Sequence, residues 1–191
     1  MSAFLGPIHF WLYNKIGNQE KLTKAIAKHA VSEGWIADAD EYIKALPPLE
    51  TVIDEGNIHG WLQARINDAE GRYASLVSYI LNDNADRMMT LCSITFEFGK
   101  ANAVSAESAI DVYKAFEDFF VNGMPCDRVN IVTEESDDEL SFEMTTDIHA
   151  QYWNGDGAAY YTIRKSVMDG MLDGSEWKVE MPDTTHYTIT R

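Results

Sequence analysis

The strongest constraint on the fold is a nine-residue phrase that occurs twice in the amino-terminal half of the chain. The copies run over residues 8–16 and 58–66, and both fit the pattern I-H-x-W-L-x-x-[K/R]-I. A glycine precedes each copy and a glutamate follows it at the same offset, so the repeat units span residues 6–20 and 56–70. Because His and Trp are rare here, the repetition indicates two related helices with equivalent histidines, His9 and His59.

The spacing of apolar residues extends both copies into long helices. It predicts one helix from Pro7 to about Gly34, and a second from the N-cap residue Asn57 to about Leu81. Further helices are expected over residues 38–46, 87–98 and 105–121, although residues 92–98 also alternate in the way a strand would. The amino-terminal part is therefore expected to be helical.

After Met124 the apolar period changes from 3.6 to 2, which is typical of strands. Residues 128–133 and 139–146 predict one hairpin, residues 176–181 and 184–191 predict a second, and a helix over 158–172 separates them. This ββαββ order indicates an antiparallel sheet backed by one helix. The chain is thus predicted to be α+β, with a helical subdomain at 1–123 and an α+β subdomain at 124–191.

The charge balance narrows the classes of partner. The chain has 31 acidic and 15 basic residues and a net charge of -16, so nucleic acid and anionic membrane surfaces are disfavoured as partners. Two cysteines fit a reducing compartment. We find no signal peptide and no apolar run that approaches the ~18 residues of a membrane span, and we therefore expect a cytoplasmic protein.

The paired histidines are the first candidate for chemistry. Each lies in the first turn of its helix, where the helix dipole disfavours the imidazolium form, and a neutral imidazole can ligate a metal or act as a general base. Glu20 and Glu70 follow on the same helical faces. Antiparallel packing would bring His9 towards Glu70 and His59 towards Glu20, whereas amino-terminal ends that meet would make the two histidines face each other. Packing alone also explains the shared Trp, Leu and Ile.

A second group of polar residues is predicted on one face of the sheet. If the strand continues past residue 146, Glu143, Asp147 and His149 share a face, and His186 on the last strand joins them with Lys178 and Glu180. An open face would be solvated, whereas a face covered by the helical subdomain would line a cleft suited to a ligand.

Together these residues define the candidate site. The catalytic candidates are His9, His59, Asp147, His149 and His186, and the aromatic walls are Trp11, Trp61, Tyr152 and Trp153. A divalent metal such as zinc or iron would take His9, His59, His149 and Asp147 as ligands.

The function expected from this site is binding or turnover of a small molecule. The alternative is a non-catalytic acidic protein that binds a basic partner or mimics nucleic acid, and homodimer formation through the repeat helices is a further expectation. Sequence motifs for nucleotide binding, zinc proteolysis and serine hydrolysis are absent.

Overall fold

The computed structural model describes residues 4–191, and within this range the chain is α+β. A helical amino-terminal part precedes a four-stranded antiparallel sheet with the strand order β1-β2-β4-β3. The helices are α1 (Pro7–Ser32), α2 (Leu49–Val52), α3 (Ile58–Asp83), α4 (Arg87–Lys100), α5 (Ala109–Phe119) and α6 (Ala158–Met171). The strands are β1 (Asn130–Glu135), β2 (Glu139–Met144), β3 (Lys178–Glu180) and β4 (His186–Thr190).

The two repeat copies form a pair of parallel helices. Helices α1 and α3 each contain 26 residues. Contacts along the pair join residues about one repeat apart: His9 with His59 and Tyr13 with Trp61 by ring contact, and Glu20 with Arg72 by an ion pair. Since these contacts join residues at about the same level along the first half of each helix, the helices run in the same direction and their amino-terminal ends lie together.

A regular 3-4 spacing of inward-facing residues explains this pairing, as in a coiled coil. With the exception of the half-buried His59, every residue of the two series is buried. On α1 the series is His9, Leu12, Ile16, Gln19, Thr23, Ile26 and Ala30, and on α3 it is His59, Leu62, Ile66, Ala69, Tyr73, Leu76 and Ile80.

Because α1 and α3 are parallel, the chain must run back from the end of α1 to the start of α3. Residues 33–57 make this connection alongside the two helices. The hydroxyl of Tyr13 donates to the carbonyl of Pro47, and Arg72 donates to the carbonyl of Tyr42. The helix predicted over 38–46 is wrong: these residues form turns and extended chain, and the short helix α2 begins only at Leu49. The physical reason is that Pro47 and Pro48 disfavour helix before them, while side chains of α1 and α3 bind the free carbonyls.

The sheet is buried on one face. Leu140, Phe142, Tyr187 and Ile189 point inward, and Phe142 stacks on Tyr187 with ring centroids 4.6 Å apart. Both hairpins and the helix between them are confirmed. Instead of one helix, two back the sheet, because α5 also packs against β2 and β4. Helix α5 begins after the cap Ser108 rather than after Ser105.

Helices α4 and α6 approach each other closely enough to join the two halves of the chain. A Cβ on Gly99 of α4 would collide with the carbonyl oxygen of Val167, and a Cβ on Gly170 of α6 would collide with that of Phe96. One hydrophobic core contains buried residues from α1, α3, α4, α5, α6 and the sheet. Residues on both sides of position 123 therefore share that core.

Candidate functional site

His9 and His59 face each other at the start of the parallel helices, with ring centroids 5.6 Å apart. His9 is buried, and its Nδ1 accepts a hydrogen bond from the N–H of Gly6, the residue that caps α1. In a neutral ring this bond assigns the proton to Nε2. His9 thus serves α1 as a cap, and ligation of a metal through Nε2 would require this tautomer to change.

The cap explains one histidine of the repeat but not the other. At the start of α3 the side chain of Asn57 accepts from the N–H of Gly60, and the N–H of Gly56 donates to Asp54. Asn57 and Asp54 thus accept the hydrogen bonds at the start of α3 in place of His59. The ring of His59 lies half-buried against His9.

The tryptophans of the repeat also have equivalent partners. Lys15 Nζ lies 4.0 Å from the ring centroid of Trp11, and the guanidinium carbon of Arg65 lies 5.2 Å from that of Trp61. Each is a cation–π pair one helical turn apart. The basic position of the repeat is thus explained by packing on Trp, and Trp11 also donates from Nε1 to Asp118.

His186 lies on the outer face of the sheet, away from the other histidines. It is exposed, as are Lys178 and Glu180, so no helix within residues 4–191 covers this face. Its Nδ1 is 2.9 Å from Asp183 and its Nε2 is 3.6 Å from Glu143. The nearby Asp183 carboxylate raises the pKa of His186 above its usual value.

Asp147 and His149 do not continue the strand, because β2 ends at Met144. Oδ1 of Asp147 accepts hydrogen bonds from the N–H groups of His149 and Ala150 and from the hydroxyl of Tyr161. Although partial burial opposes ionisation, these bonds lower the pKa of Asp147. The resulting turn leaves Asp147 exposed and directs His149 into the interior.

His149 meets Glu70, the glutamate of the second repeat copy. Its Nδ1 is 3.2 Å from Oε1 of Glu70, and the two side chains are only 1% and 2% exposed. The ring of His149 stacks on Tyr160 at 3.8 Å between centroids. The Nδ1–Oε1 contact has an ion-pair distance but lacks hydrogen-bond alignment, so both carboxylate oxygens and both ring nitrogens are buried without a hydrogen bond.

The four proposed metal ligands lie at two separate places, His9 with His59 and Asp147 in the turn that carries His149. Glu70 follows His59 by eleven residues, so His149 beside it lies about 16 Å along α3 from the histidine pair. Among residues 4–191, no group of three or more His, Cys, Asp or Glu side chains is arranged to hold a metal ion.

A cavity of about 80 Å³ lies beside the Glu70–His149 pair. It is bordered by α3, by the segment that follows α5 and by the turn after β2. Its polar lining consists of Gln63, Glu70, Asp127, His149, Gln151 and Tyr152, and its apolar lining includes Ile66, Val121 and Ile148. Among the described residues, the lining has two carboxyl groups and no lysine or arginine, so it favours a cation or a donor of N–H groups.

The four aromatic residues predicted to line the pocket do not lie together either. Tyr152 lines this cavity, and its hydroxyl donates to Asn67. Trp153 is buried and packs edge-on against Tyr73 at 5.5 Å between centroids. Trp11 and Trp61 lie half-buried near the amino-terminal ends of α1 and α3.

Sequence reasoning missed several residues of the interior. Glu70 carried a signal as the equivalent of Glu20, but the two diverge in partner: Glu20 pairs with Arg72, whereas Glu70 pairs with His149. Tyr160 and Arg164 are four residues apart on α6, a spacing that places them on one helical face. Burial is the largest effect on Tyr160, and it raises the pKa of the hydroxyl above its usual value. The Glu70 charge adds to this increase, and the Arg164 charge opposes it. Asp127, Gln63 and Gln151 carried no signal.

Comparison with known proteins gives no further guide to the site, because the chain matches no known protein family, no curated protein and no solved structure.

Proposed function

We propose that this protein binds a small cationic molecule in the cavity beside the Glu70–His149 pair. The observation that carries the proposal is the unmet hydrogen-bonding capacity of that pair. Buried polar atoms are nearly always hydrogen-bonded, and a buried carboxylate and imidazole without such bonds are costly to the fold. A bound ligand that donates to them would offset this cost.

The size and charge of the cavity define the ligand class. One water needs about 10–15 Å³ of such volume, so the cavity holds a ligand of roughly five non-hydrogen atoms or slightly more. Glu70 and Asp127 provide acceptors for an ammonium, guanidinium or amidinium group.

The test is a titration with methylguanidinium, followed by chemical shifts of the His149 ring and by the melting temperature. Acetate, a small anion, is the comparison ligand. We expect saturable shifts with methylguanidinium alone. Glu70→Gln keeps the shape but removes the charge, and we expect it to weaken binding about 10–100-fold because a charge-assisted hydrogen bond is lost.

His186→Gln is the matched control, since it removes an exposed histidine that also lies beside acidic side chains. We expect this variant to bind as the wild type does. Unsaturable shifts, or equal affinity in Glu70→Gln, would contradict the proposal.

No helix within residues 4–191 is long and apolar enough to cross a bilayer. Four expectations remain predictions: the cytoplasmic location, the lack of nucleic-acid binding, the homodimer, and the alternative function as an acidic interaction protein.

A further inference from the structure

Arg164 is a buried cation on α6 with no ion pair among residues 4–191. The residue is 2% exposed, and Nη1 donates to Oδ1 of Asn122 at 2.9 Å and to the hydroxyl of Tyr160 at 3.2 Å. The guanidinium lies 4.6 Å from the ring centroid of Phe120. Arginine does not lose its proton in proteins, and a buried charge is ordinarily paired.

A cavity of about 20 Å³ lies next to this guanidinium, between α1, α3, α6 and the end of α5. Two buried donors without an acceptor belong to its lining: Nε of Arg164 and Nε2 of Gln19. Within the part of the chain that the structure describes, no carboxyl group lines the cavity; the rest of the lining is Asn18, Leu22, Tyr73, Phe119, Phe120, Val121 and Tyr160. Both orphaned groups are donors, so the missing partner is an acceptor.

The charges around the cavity also favour an anion as the missing acceptor. Lys15 on α1 is also buried, and its positive charge and that of Arg164 act on each other. Glu117 on α5 opposes them, but Oε1 of Glu117 accepts hydrogen bonds from Asn122 and Asn130 rather than from either cation. The carboxylates of Glu117 and Asp118, which act on Lys15, form no ion pair with it or with Arg164 within residues 4–191.

We propose that the small cavity binds a halide ion, with Arg164 Nε and Gln19 Nε2 as its hydrogen-bond donors. The volume sets the class of anion. Since one water needs about 10–15 Å³, the cavity has room for a single atom-sized occupant and excludes sulfate, phosphate and carboxylates. A halide supplies both the negative charge and the acceptor, and a water would supply only the acceptor.

The first experiment compares thermal unfolding in sodium chloride with that in sodium gluconate at equal ionic strength, since gluconate cannot enter the cavity. We expect chloride at ten times its dissociation constant to raise the melting temperature by about 3–6 °C relative to gluconate. Crystals grown in bromide test the site directly. We expect an anomalous scattering peak from bromide between Gln19 and Arg164.

Arg164→Met would leave Tyr160 and Asn122 without a donor and could unfold the chain, so the informative variant is Gln19→Leu. This change removes one donor at similar size, and we expect it to abolish the chloride response. Gln151→Leu, at the other cavity, should keep that response. Coincident melting curves in chloride and gluconate, with no bromide peak in the cavity, would overturn the proposal in favour of water, and so would a full chloride response in Gln19→Leu.

Discussion

Lys15 shows how one buried charge sets a pH dependence. Burial lowers its pKa to about 8, an effect that Glu117 and Asp118 oppose and Arg164 reinforces. The folded pKa is thus below the unfolded value of 10.5. Below pH 8 both states are protonated and the buried ammonium costs the fold about 3 kcal/mol as an order of magnitude. Between pH 8 and 10.5 the unfolded chain binds more protons, so this group makes stability rise with pH.

We therefore expect Lys15→Met to raise the melting temperature at pH 7 by about 2–6 °C, which allows for the lost contact with Trp11. The difference from wild type should shrink as the pH increases from 8 towards 10.5. Lys28→Met, an exposed change on the same helix, should differ from wild type by a constant amount. A destabilised Lys15→Met whose difference from wild type does not change with pH would contradict the lowered pKa, because it would mean that the cation–π contact balances the burial cost of the charge.

At the scale of secondary-structure elements, the question is whether equivalent positions of α1 and α3 contribute equally to stability. Leu12 and Leu62 occupy the same repeat position and are both fully buried, so Leu12→Ala and Leu62→Ala should each lower the free energy of unfolding by about 3–5 kcal/mol. Ile8 and Ile58 are equivalent in sequence but not in burial, at 47% and 5% exposed.

Ile58→Ala should accordingly cost about 2 kcal/mol or more, and Ile8→Ala about 0.5 kcal/mol or less. Urea unfolding measures all four variants. Equal costs at Ile8 and Ile58 would show that the two helix ends are packed alike.

These elements also show what the sequence can predict. Periodicity locates α1, α3, α4, α6 and both hairpins, because each buries one continuous stripe or face. It does not give the direction of the repeat pair, which depends on the return of residues 33–57 and its hydrogen bonds to Tyr13 and Arg72.

The candidate site was harder to predict for a similar reason. Alternation in β2 suggests a strand beyond its end, but Asp147 folds the chain into a turn that sends His149 towards Glu70. Burial of Arg164 depends on packing between distant elements and leaves no mark in local spacing.

At the scale of the whole molecule, the α4–α6 contact is one of those that join the two predicted subdomains. Gly99 and Gly170 let the helix backbones touch, and each helix belongs to a different half of the chain. The same core extends from α1 to the sheet. Loss of this contact would therefore expose apolar surface on both sides of residue 123.

We expect a single cooperative unfolding transition that hydrogen exchange detects at the same urea concentration in α1 and in β4. Gly170→Ala forces α4 and α6 apart and should lower the free energy of unfolding by about 1–3 kcal/mol or more, with both regions shifted equally. Gly71→Ala is the matched control, because a Cβ there meets open space within helix α3 and should stabilise by about 0.5–1 kcal/mol. If Gly170→Ala shifts the exchange of the sheet and leaves that of α1 unchanged, the halves on either side of residue 123 unfold independently, and the glycine contact is an interface between two folding units.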